Sequence, residues 1–125
     1  MELETLTEEL KGWVKEHNIE ERSLARFNVY IDTFRQDDPE EFALLYPDFS
    51  EESLRVEVTR VALVVDHKDP TMPEIMISLP ISYKQKEIGS FKVFFLLQNG
   101  EYSTDVGTYE GFDFEDEYEM ETIKP

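Results

Sequence analysis

Apolar residues recur at spacings of three and four through the first third of the chain. Leu3, Leu6, Leu10, Trp13 and Val14 line one face of a helix. Thr5 or Thr7 is its candidate cap, with Glu8 and Glu9 in the favourable first turn, and His17-Asn18 ends it. A second stripe, Leu24, Phe27, Tyr30, Ile31 and Phe34, predicts a second helix. It starts at Ser23 or already at Glu20-Glu21. Asp37-Asp38-Pro39-Glu40-Glu41 marks a boundary, where Asp38 can cap, Pro39 fits the first helical position and Glu41 completes a capping-box-like pattern. The short third helix presents Phe42, Leu45 and, at its end, Tyr46 before Pro47 stops it.

Beyond Ser53 the period changes to two. Leu54, Val56 and Val58 alternate with Arg55, Glu57 and Thr59, and then Val61, Leu63 and Val65 are apolar at the other parity. That slip predicts a bulge near Arg60 or a strand buried on both faces beyond it. Asp66 to Pro73 holds two prolines and reads as a loop. Ile75, Ile77, Leu79, Ile81 and Tyr83 form the next alternating strand, where Pro80 requires a free edge or a local distortion. Lys84 to Glu87 is a polar turn. Ile88 to Gln98 is a strand with Phe91, Val93, Phe95 and Leu97 on one face and Phe94 and Leu96 on the other. Asn99-Gly100 predicts a type I′ hairpin into a return strand carrying Tyr102, Thr104 and Val106.

Helices grouped first and strands grouped later indicate an α+β fold. The simplest arrangement packs the N-terminal helices on one face of a four-stranded antiparallel meander. Residues 1–107 form this single domain, and residues 108–125 form an acidic, aromatic-containing C-terminal segment. Phe94 and Leu96 raise the question of cover on the second sheet face. Phe112 and Phe114 or a second subunit could supply it, so a homodimer stays open.

Charge changes the picture by its position. The 125 residues include 29 acids and 12 bases, for a net charge of -17. Residues 1–53 hold 15 acids and 5 bases, residues 54–107 hold 7 and 6, and residues 108–125 hold 7 acids against Lys124 alone. Such a potential disfavours phosphate backbones and anionic membranes and favours a basic protein partner. The bland alternative is solubility through solvated helix faces. The absence of cysteine is compatible with a reducing compartment, Met1-Glu2-Leu3-Glu4 is acidic where a targeting signal would be basic, and no apolar run approaches a membrane span. The chain is therefore read as cytoplasmic.

Candidate chemistry is sparse. His17 and His67 are the only histidines and stand in no metal-ligand spacing, and there is no phosphate loop, Walker motif or nucleophile elbow. The expectation is a protein that is not an enzyme and has no cofactor or metal. In the C-terminal segment Asp113, Glu115, Glu117, Glu119 and Glu121 alternate with Phe114, Asp116, Tyr118, Met120 and Thr122. Extended, this is a ribbon of carboxylates, and the interleaved Phe112, Phe114 and Tyr118 suit interface anchors. A calcium site lacks the glycine-containing twelve-residue loop, while a solvated terminus remains the plain alternative.

The stretch Ile81-Ser82-Tyr83-Lys84-Gln85-Lys86-Glu87-Ile88-Gly89, with Phe91 to Leu97 and Asn99-Gly100-Glu101, resembles small immunity proteins of bacterial polymorphic-toxin loci. Ser23 to Asn28, Pro39-Glu40-Glu41 and Leu45-Tyr46-Pro47 have a similar character. The resemblance implies an antidote that binds and blocks a cognate toxin, with a basic and nuclease-like partner fitting the charge. The partner-binding candidates are Asp37, Asp38 and Glu41 with Asp113, Phe114, Glu115, Asp116, Glu117 and Tyr118. Two other readings stand beside it. One is a phage-type DNA mimic that blocks a restriction or CRISPR nuclease. The other is a small enzyme or ligand-binding domain with a pocket lined by Trp13, Phe27 and Tyr30.

Overall fold

The structure is a computed structural model that describes residues 2–110. Its elements run in the predicted order: helices α1 (Leu3–Glu16), α2 (Ile19–Asp37) and α3 (Pro39–Leu45), a short 3₁₀ turn, then strands β1 (Leu54–Val56), β2 (Arg60–Val64), β3 (Glu74–Tyr83), β4 (Lys86–Leu96) and β5 (Tyr102–Tyr109). All strand pairs are antiparallel, in the order β1-β3-β4-β5, with β2 also paired to β3. The fold is α+β, with the helices on one face of the sheet.

The parity slip near Arg60 becomes a break that splits the meander's first strand into β1 and β2. Val56 pairs with Ile81 and Arg60 with Ser78, so residues 57–59 span the gap opposite Leu79 and Pro80. The Thr59 amide donates to the Ser78 carbonyl, which places the β2 side of β3 at Ser78. Pro80 shares that parity, so its missing N–H faces the gap and no ladder bond is lost.

Several sequence-level expectations are corrected. The first helix begins at Leu3, so Thr5 and Thr7 lie inside it and the Thr7 hydroxyl back-bonds to the Leu3 carbonyl at 3.0 Å. α2 begins at Ile19, which makes Ser23 an interior, fully buried residue. Asp38 does join α2 to α3, but it does so through its backbone. Its amide donates to the Phe34 carbonyl and its carbonyl accepts from Phe42, both at 2.9 Å, with no side-chain cap bond. β5 continues through Tyr109, past the boundary expected at residue 107.

The two hairpins also exchange their expected characters. Lys84 and Gln85 both adopt positive φ, 50° and 68°, as a two-residue primed turn demands. Asn99 does not share the positive φ of Gly100 (74°), so Asn99-Gly100 is part of a longer loop instead of a type I′ turn. That loop is set by a tertiary contact. The Trp13 indole donates to the Leu97 carbonyl at 3.0 Å, and a Cβ on Gly100 would collide with the His17 imidazole. The end of α1 therefore shapes the β4–β5 connection.

The core lies between the helices and the odd-numbered face of β3 and β4. Ile75, Ile77, Leu79, Ile81, Phe91, Val93 and Phe95 are fully buried against Ile19, Phe27, Ile31, Phe42 and Leu45. Phe27 meets Phe91 edge-on with ring centroids 5.4 Å apart. No residue of α1 is fully buried. Among the described residues no helix is long and apolar enough to cross a membrane.

Candidate functional site

The α2–α3 corner arises from its local sequence. The residue before a proline is pushed out of the α region, so Asp38 leaves the helix at φ -133°. Pro39 then restarts it. Phe34 and Phe42, on the two sides of the corner, pack edge-on at 5.5 Å and hold it against the core. With both backbone ends satisfied internally, the carboxylates of Asp37, Asp38, Glu40 and Glu41 are exposed to solvent.

Beside the corner, a cleft of about 290 Å³ separates α2 from β5. Asp37, Asp38, Val29 and Thr33 line its α2 side, and Asp105 lines the β5 side. The one base in the cleft is neutralised locally. Arg26 donates through Nε to the Asp105 carboxylate at 2.9 Å, the only ion pair among the described residues. The Tyr102 hydroxyl donates to the same oxygen at 2.7 Å, and the Arg26 guanidinium lies 4.4 Å from the Tyr102 ring centroid. Burial, and then the bond to Asp105, raise the Tyr102 phenol above its ordinary value.

The other arginines of α2 also lie over aromatic rings. Arg22 lies over the Phe95 ring at 4.9 Å and Arg35 over Phe49 at 5.1 Å. The helical layer thus draws its guanidinium groups onto aromatic rings and leaves its carboxylates outside. Sequence position alone would not separate the two sets, because both occur along the same helix.

Where the described chain ends, a tyrosine cluster fixes β5 to this corner. The Tyr109 hydroxyl is hydrogen-bonded to those of Tyr30 at 2.7 Å and Tyr46 at 2.9 Å. Gly107 admits the Tyr30 hydroxyl, with which any Cβ would collide. Burial pushes the Tyr46 and Tyr109 phenols well above their ordinary value near 10, and Tyr30 is raised for the same reason. The Tyr109 ring lies 6.2 Å from that of Phe34, so the chain leaves the described region beside the acidic corner. The remaining candidates, Asp113, Phe114, Glu115, Asp116, Glu117 and Tyr118, lie outside the described residues.

Sequence reasoning missed two apolar neighbours of these acids. Val29 is 47% exposed in the cleft, and Leu44 is 66% exposed one turn beyond Glu40 and Glu41. Val29 falls off the Phe27, Tyr30, Ile31 and Phe34 stripe, and Leu44 falls off the Phe42–Leu45 face. Their phase was the available signal.

The imagined pocket of Trp13, Phe27 and Tyr30 is not assembled. Trp13 bonds to Leu97, Phe27 fills the core against Phe91, and Tyr30 joins Tyr109. A larger groove, about 660 Å³, lies instead between α1, the start of α2 and β2. Leu10, Val14, Ile19 and Val61 line it, with Lys11 and Lys15 also contributing. Among the described residues, no group of three or more His, Asp or Glu side chains is placed to hold a metal ion.

Comparison with known proteins adds no relative: no family model, curated protein or solved structure matches the chain.

Proposed function

We propose that this protein is an acidic protein-binding inhibitor, of the kind that neutralises a cognate bacterial toxin by direct contact. The observation that carries the reading is the α2–α3 corner. Its exposed carboxylates, which form no ion pair among the described residues, stand beside exposed Val29 and Leu44, and the described residues end at the adjacent end of β5. Apolar anchors among uniform charge suit a desolvated contact surrounded by steering electrostatics. The partner is a basic protein, with a nuclease-like toxin the first candidate. This role would be exercised in the cytoplasm and would require no catalysis by this chain.

A phosphate-mimic reading is less well supported. It needs carboxylates spaced along an elongated surface, whereas here they gather on the helical side of a two-layer domain. The groove between α1 and β2 favours a second reading, a small-ligand or peptide-binding domain, because its volume and apolar lining fall in the usual range for such sites.

The deciding experiment is titration of the full chain against basic toxin domains encoded beside its own gene. Binding at low salt that weakens steeply with salt, and weakens again in Asp37→Asn/Asp38→Asn/Glu41→Gln, supports the reading. No complex at low salt with any such domain overturns it.

A further inference from the structure

The sheet has three open edges among the described residues, and they are finished differently. β1 is only three residues long and carries Arg55 at its centre. β5 is broken by a register shift between its pairs with Phe94 and Phe95, and it turns the charged Asp105 inward to Arg26. Short length, irregular pairing and an inward charge are common ways of blocking an edge against further strands. β2 has none of them. Val61-Ala62-Leu63-Val64-Val65 is an unbroken apolar run without proline, and Leu63 and Val65 are 47% and 52% exposed.

Backbone direction shows what this edge accepts. The Leu97 amide donates to the Pro73 carbonyl, so odd-numbered residues of β3 bond toward β4 and even-numbered ones toward β2. Arg60, Ala62 and Val64, opposite Ser78, Met76 and Glu74, therefore bond to β3. Val61 and Leu63 hold their N–H and C=O groups outward, and Val65 continues that phase. Their side chains share the helical face with those of Ile77 and Ile75. The edge fits an extended strand with apolar residues at alternate positions.

β2 is itself such a strand. In an antiparallel pair of two copies centred on Leu63, the outward backbone groups of both face each other. Val61 then lies opposite Val65 of the second copy, and Arg60 lies opposite Asp66, twice by symmetry. Sliding by two residues sets Arg60 against Lys68 in one direction and against Val64 in the other, so charge selects the centred register. Val65 of the second copy arrives beside Val61, at the groove that Leu10 and Val14 also line. The acidic α2–α3 corner borders β5, on the opposite side of the sheet, and does not enter the contact.

We propose that two copies of this chain associate through their β2 edges, joined into one continuous sheet about a twofold axis at Leu63. This inference stands apart from the toxin-binding reading and leaves the acidic corner open on both copies.

Sedimentation of the full chain tests it, and the expected result is a mass that doubles as concentration rises. The net charge of -17 on each copy opposes the contact at long range, so added salt should strengthen it, the reverse of the effect expected for a basic partner. Leu63→Lys, a change at an exposed side chain, should return the mass to that of a monomer. Only the centred register sets Leu63 opposite itself, with the two Cα atoms about 5.5 Å apart. The chain has no cysteine, so Leu63→Cys should cross-link under mild oxidation, whereas Leu44→Cys, exposed on the helical side, should not. A monomer at every concentration and salt, or a dimer that survives Leu63→Lys, overturns the proposal. So does Leu44→Cys cross-linking as readily as Leu63→Cys. No partner is present in these measurements, so their failure is independent of failure to capture a toxin.

Discussion

The α2–α3–β5 corner and the α1 side of the molecule are built from similar apolar stripes, yet they are held very differently. At the corner, Phe27, Ile31, Phe42, Leu45 and Tyr46 are almost completely buried, and three tyrosine hydroxyls close the seam. On the α1 side, Leu10, Trp13 and Val14 are only partly covered and border an open groove. An amphipathic pattern states which face turns inward. It does not state how much material waits there. α2 packs on the centre of the sheet through Phe27 and Phe91, while α1 borders β2 across the groove and meets the β4–β5 loop only at its end.

This contrast can be broken most forcefully at Phe27. Phe27→Ala should cost about 3–5 kcal/mol in chemical denaturation, as a cavity opens against Phe91. Tyr109→Phe is expected next, at about 1–3 kcal/mol, because it strands the hydroxyls of Tyr30 and Tyr46. The same cluster predicts the alkaline behaviour. Phenols whose folded values are raised stabilise the fold fully below the unfolded value near 10, and that contribution is lost as the pH climbs toward the folded values. Stability measured from pH 8 upward should hold to about pH 10 and then decline, with a smaller decline in Tyr46→Phe/Tyr109→Phe.

Milder changes sharpen the comparison. On the α1 side, Leu10→Ala should cost only about 1 kcal/mol, as expected for a partly covered side chain at roughly 25 cal/mol per Å². Ser23 tests the tight side in the opposite direction. Its hydroxyl is buried without a partner among the described residues, so Ser23→Ala should raise stability by up to about 1 kcal/mol. The smallest effect belongs to Asp37→Asn/Asp38→Asn/Glu41→Gln, within about 0.5 kcal/mol, since these exposed side chains make no cap bond. A large loss there would show that the acids hold the corner together and would weaken the binding proposal.

Much of the fold was legible because the chain's periods are clean. Stripes of three and four marked α1 and α2, the Asp38-Pro39 step marked their boundary with α3, and alternation marked β3 and β4 with the correct inward face. The misreadings share one cause. Thr5 and Thr7 looked like caps and Ser23 like a start because each is a polar residue near a helix start, but the helices reach back to Leu3 and Ile19, as the alternative start at Glu20-Glu21 had allowed for α2. Asn99-Gly100 looked like a two-residue turn because local propensity permits it, but Trp13 and His17 impose a longer loop. At the candidate site, the acids Asp37, Asp38 and Glu41 were visible. Val29 and Leu44, the Arg26–Asp105–Tyr102 contact and the tyrosine cluster were not.

The sequence by itself determined the order of elements, the inward face of β3 and β4, an irregularity near Arg60 and the placement of negative charge along the chain. Those features depend on spacing and composition within short windows, which a linear reading measures directly. Only the tertiary structure decided that Tyr109 closes on Tyr30 and Tyr46, and that the α2 arginines turn onto rings while the carboxylates stay outside. It also placed Leu63 beside Ile75 on one side, with no strand among the described residues on the other. Each of these joins residues far apart in sequence, and strand register together with helix placement sets their distance, which no local pattern encodes.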